Sequence, residues 1–114
     1  MTLTCEPGPD PAGLAPNPRV LPEGLETVRH TPEFTAGTVP AALLKDHNTK
    51  LGTWGLIHVA EGMLRYDITD NRRPPRTTFL TTDSEPGIVE PTIRHRVEPV
   101  GATRFHVEFL REPA

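Results

Sequence analysis

The sequence predicts an all-β domain, a sandwich or a small barrel. Three observations carry this. About seven short runs alternate apolar and polar residues at hairpin spacing. Turn-forming clusters separate them: Leu21-Pro22-Glu23-Gly24, Asp70 to Pro75 and Asp83 to Gly87. Only Val39 to Lys45 has modest helical character, with Pro40 at its first position and Thr38 as cap, and even there a strand is an alternative.

In chain order, residues 1–20 come first. Pro7, Pro9, Pro11, Pro16 and Pro18 fall in a stretch with little apolar content. Proline removes a ladder donor and restricts its predecessor, so this stretch reads as a flexible tail. The folded domain is expected at 21–111. Leu25 to Thr31 has no clean apolar face and reads as an edge strand that Pro32 ends. Phe34 to Thr38 is short and irregular. Asp46 to Thr49 is a polar loop that carries His47 into the next strand.

Thr53 to Ala60 sets Trp54, Leu56 and His58 against Gly55, Ile57 and Val59. Gly62 reads as a hairpin turn, because glycine takes a positive φ cheaply. Met63 to Thr69 then alternates Leu64, Tyr66 and Ile68 against Met63, Arg65 and Asp67. Thr77 to Thr81 is a β-branched strand, and Gly87 to Glu90 a short one that Pro91 stops. His95 to Pro99 places His95 and Val97 on one face. Val100-Gly101-Ala102 reads as a turn, and Thr103 to Leu110 sets Phe105, Val107 and Phe109 against Arg104, His106, Glu108 and Leu110.

A chain of 114 residues is expected to form one domain with a small core. Its net charge of −3 and the lack of a basic block argue against nucleic acid as a partner. There is no apolar run long enough for a membrane span and no secretory leader pattern. The one cysteine, Cys5, excludes an internal disulfide, so a cytoplasmic location is the plain expectation.

The chemistry-bearing candidates are histidines and carboxylates. His95 points the same way as Val97, so it faces the interior if Val97 does. It is then either a core histidine bonded to backbone or a metal ligand. His47 on its loop reads alone as a surface residue. His58, His106, Glu90 and Glu108 lie in or beside strands, and spacing does not choose among them. Glu108, between Val107 and Phe109, must face solvent or meet a cation.

The string His47–Asn48–Thr49, Gly52, Trp54–Gly55, with Glu61–Gly62 and then Pro91 followed by His95, resembles a small cupin-like family. Its members occur alone, as YeaR-like proteins, or as the N-terminal part of some TehB-type tellurite-resistance proteins. The resemblance extends over residues 21–111. It implies the cupin double-stranded β-helix, with His47 and His95 matching two of the cupin metal-binding histidines. Thr49 replaces the second histidine of the first motif, and no glutamate stands at the usual interval. A third ligand would come from Glu90, His106 or Glu108. The implied cofactor is a divalent metal, Zn²⁺ or Fe²⁺.

The function expected from the resemblance is a metal-binding, stress-related protein that holds a small molecule or oxyanion. The alternatives are a metal-dependent oxygenase or isomerase and a non-catalytic interaction module. A homodimer is a further expectation. Methyl transfer by this chain itself is not expected, since no G-x-G-x-x-G loop follows a strand.

Overall fold

A computed structural model describes residues 15–113. Cys5 and most of the expected tail lie outside these residues. Among them the chain forms one antiparallel sheet of six strands, β1 Glu26–His30, β2 Phe34–Thr35, β3 Thr53–Ile68, β4 Arg76–Thr81, β5 Gly87–Val89 and β6 His95–Arg111. The strand order is β1-β6-β3-β4, with β2 also paired to β6 and β5 to β3. β1 and β4 are open edges. The all-β expectation holds, as an open antiparallel sheet with almost no helix; the cupin double-stranded β-helix is not shown by it.

Two strands dominate, at 16 and 17 residues. β3 and β6 pair along nearly their whole lengths, from Thr53 opposite Arg111 to Ile68 opposite His95. The hairpin expected at Gly62 and the turn expected at Gly101 are therefore corrected. Both glycines do take a positive φ, +79° and +72°. They interrupt long strands instead of ending short ones. The register shifts on either side of Glu61, the signature of a bulge. A Cβ on Gly62 would stand 2.0 Å from the Ala102 carbonyl oxygen, so only glycine lets the two strands approach there.

The expected helical stretch is a four-residue 3-10 turn, Ala41–Leu44. Pro40 stands at its N-cap position without a side-chain bond. Thr38 does not cap it; its hydroxyl accepts from the Thr35 amide at 2.8 Å. A single turn fixes several dihedrals for few bonds, so it persists here because Leu43 packs on the core.

Alternation along the strands builds the core. Ile57, Leu64, Tyr66, Leu80, Val89, Val97, Phe105 and Val107 form one buried cluster. β1, exposed along its length, guards its edge with Glu26, Arg29 and His30. No helix of the described residues is long and apolar enough to cross a membrane.

Candidate functional site

β6 begins at His95 and ends at Arg111, and both residues line one cavity of about 400 Å³. The strand must curve to bring its ends together, and Gly101 lies within it. The loop that follows the 3-10 turn closes the cavity from the other side. There His47 and His95 exchange backbone hydrogen bonds, each amide donating to the other's carbonyl at 2.9 Å. This bridge seats the two imidazoles side by side, with ring centroids 4.0 Å apart. Ile57, Val89, Val97, Phe105, Val107 and Phe109 supply apolar wall.

The tautomers follow from the backbone. His47 Nδ1 lies 3.0 Å from the Lys45 carbonyl, and His95 Nδ1 lies 3.0 Å from the Ile93 carbonyl. A carbonyl oxygen only accepts, so Nδ1 carries the proton in both rings. In a neutral ring Nε2 is then left with its lone pair. Burial, opposed by the hydrogen bond to the Ile93 carbonyl and aided by the neighbouring His47, pushes the His95 imidazole down to about 4. His95 is therefore neutral near pH 7 and offers an acceptor.

His95 is held from behind by Asp70. That buried carboxylate accepts from the Arg94 amide at 3.0 Å and from the Arg72 amide at 2.8 Å. The Arg72 guanidinium grips it at 2.9 and 2.8 Å and, against the cost of burial, holds it well below the usual carboxylate range. The loop that read as merely polar is thus tied to the residue just before His95.

The structure brings His47 and His95 together and leaves the other candidates elsewhere. Glu90 pairs with Arg73, whose Nε donates at 2.8 Å, and lines a different cavity beside Tyr66. Glu108 accepts from Thr27 and meets His58 Nε2 at 2.9 Å. His106 stacks on His58, with centroids 4.9 Å apart, and approaches His30 at 5.4 Å. Glu90, Glu108 and His106 do not line the cavity of His47 and His95.

Three cavity residues carry charge that the sequence did not mark as functional. Among the described residues Arg29, Lys50 and Arg111 line it, and no carboxylate does. Arg29 lies over the Phe109 ring, 4.7 Å from its centroid. Its direction depends on the register shift between Thr27 and Arg29 in β1, which strand alternation does not reveal.

Comparison with known proteins agrees with the sheet and changes the chemistry. The TehB-like domain family matches residues 29–107. Two proteins of Haemophilus influenzae, from strain KW20 and strain 10810, are 37% and 35% identical over 71 residues. Each is named a probable S-adenosyl-L-methionine-dependent methyltransferase TehB. The match covers 61% of this chain but 25% of each relative, so the chain spans about a quarter of their length. The crystal structure of TehB from Haemophilus influenzae superposes with a TM-score of 0.71 at 29% identity, over 79% of this chain and 32% of that one. A protein of E. coli strain K12 superposes with a TM-score of 0.72 at 20% identity, over 83% of this chain and 98% of that one, and shows the fold alone.

The expected metal-binding cupin function is corrected on these findings, and with it the Zn²⁺ or Fe²⁺ cofactor. The relatives are named for S-adenosyl-L-methionine, not for a metal. Among the described residues, no group of three or more His, Cys, Asp or Glu side chains is arranged to hold an ion. Two imidazoles without a third donor fall short of the usual site.

Proposed function

The chain belongs to the TehB-like domain family, and on that premise we propose that it serves S-adenosyl-L-methionine-dependent methyl transfer as the domain that holds the small-molecule substrate. The observation that supports this reading is the cavity at His47 and His95. It is mostly apolar, with a few convergent polar groups, as small-molecule sites are.

The charge of the lining disfavours S-adenosyl-L-methionine itself. Its sulfonium is a cation, while the lining carries Arg29, Lys50 and Arg111 and, among the described residues, no carboxylate. The antiparallel sheet also lacks, among the described residues, the strand-to-helix crevice in which open α/β sheets bind nucleotides. The methyl donor is then held by a methyltransferase unit outside this domain, and the chain's part is to bind and orient the acceptor. A cytoplasmic setting goes with this role and with the single cysteine.

Ligand-observed NMR tests the reading. S-adenosyl-L-methionine should show no saturation transfer from the chain, while pools of small hydroxylated, thiol and amine compounds should yield binders that shift the His47 and His95 ring signals. Donor binding in the cavity, or no binder among the pools, would overturn it.

A further inference from the structure

The lining of the cavity narrows the class of molecule it takes, and this step rests on the proposed small-molecule role. His95 is 3% exposed, and its Nε2 has no hydrogen-bond partner among the described residues. That nitrogen is nonetheless not sealed, since Trp54 Nε1 is the buried side-chain atom without a partner among those residues. His95 lines the cavity, so the lone pair is open to what the cavity holds. His47 repeats the arrangement, with Nδ1 tied to backbone and no partner for Nε2 among the described residues. One wall therefore presents two acceptors 4 Å apart, ring centre to ring centre, and demands a donor.

The charged lining has the opposite character, beside the neutral Asn48, Thr49 and Thr53. Arg29, Lys50 and Arg111 are exposed side chains that line the cavity, with nothing acidic beside them among the described residues. A cationic donor such as an ammonium group would satisfy the imidazoles but be repelled by this rim. A neutral hydroxyl has one proton to give to the pair and meets that demand without this cost, and an anionic group on the same molecule would be drawn to the guanidinium groups. Between the two lie Phe105, Phe109 and aliphatic side chains, which suit an apolar body. We infer that the cavity binds a small carboxylate with an apolar body and a hydroxyl group, the hydroxyl on the His47–His95 pair and the carboxylate at Arg29 and Arg111.

Isothermal titration calorimetry with four matched probes tests this. They are 4-hydroxybenzoate, benzoate without the hydroxyl, 4-hydroxybenzamide without the charge, and 4-aminobenzamidine as a cation. The hydroxy acid should bind at least about tenfold tighter than each of the others, because a site built around polar groups rejects analogues that leave them unpaired. His47→Ala keeps the backbone bridge and should erase the preference over benzoate. Arg111→Ala should erase the preference over the amide. Circular dichroism of both variants confirms that the sheet is retained. Equal binding of benzoate and 4-hydroxybenzoate would overturn the role of the histidine pair. Tightest binding of the amide or the amidine would overturn the anionic class, yet leave the small-molecule role standing. Binding of none of the four to the folded wild type would overturn the class; only failure of the wider NMR pools removes the role as well.

Discussion

His95 is nearly sealed, uncharged and tied at Nδ1, and that combination makes the fold sensitive to acid. Its folded-state value of about 4 lies below the ordinary histidine value of 6.5. Between those values the unfolded chain binds the proton and the folded chain resists it. Stability is therefore fully present above pH 6.5 and falls as the pH drops toward 4, by about 3 kcal/mol from this one group. Asp70 and Glu108, whose carboxyls are held low, lose their contributions in more acid solution. Urea titrations at pH 7.5 and 5 should show the loss in wild type and a much smaller one in His95→Gln; equal losses would refute the assignment. Asp70 acts on the same histidine from outside the cavity. Asp70→Ala leaves the Arg94 amide and the Arg72 guanidinium without their shared acceptor and should cost about 2–3 kcal/mol. A midpoint shift under 0.5 kcal/mol would show that the clamp is not needed.

At the scale of elements, the strands declared themselves through alternation, and their ends did not. The apolar positions of β3 and β6 were legible because Leu64, Tyr66, Phe105 and Val107 recur every second residue. Gly62 and Gly101 were legible as positive-φ positions, yet a left-handed glycine fits a bulge as well as a hairpin turn. What decides between them is whether the next strand segment pairs back on its predecessor or continues along a third strand, a long-range fact. The same limit governs the site. His47 and His95 stood out by residue type and resemblance, whereas the directions of Glu90, Glu108 and Arg29 depend on partners such as Arg73, Thr27 and Phe109, far off in sequence. The two glycines also separate strain from collision. An alanine at Gly101 meets no heavy atom within 4 Å and suffers only the left-handed backbone, about 1 kcal/mol. An alanine at Gly62 adds the overlap with the Ala102 carbonyl, and should cost about 3 kcal/mol or more. Thermal melts of Gly62→Ala and Gly101→Ala check the difference, and similar losses would mean the long strands part easily at the bulge.

Across the whole molecule, one small core serves two purposes. Ile57, Val89, Val97, Phe105 and Val107 belong to the buried cluster and also line the cavity. A domain of this size holds about 5–15 kcal/mol in total, so its cavity wall cannot be altered freely. Phe105 is fully buried and meets Phe34 edge-on at 5.6 Å. Phe105→Ala should cost about 3–5 kcal/mol, which for a domain of this length lowers Tm by roughly 15–30 °C. Leu43, on the 3-10 turn, also lines the cavity; it is half-buried and packs on the margin of the buried cluster. Truncation there removes one lining side chain while the sheet keeps its pairing, so Leu43→Ala should cost under about 1.5 kcal/mol. Its larger effect should fall on the binding of 4-hydroxybenzoate, which should weaken several-fold. Melting curves with and without that probe distinguish the two residues: Phe105→Ala should lose most of its stability before any ligand is added, and Leu43→Ala should lose mainly the stabilisation that the ligand confers. If Leu43→Ala instead melts as early as Phe105→Ala, the 3-10 turn is part of the core and the cavity has no wall that can change without the fold.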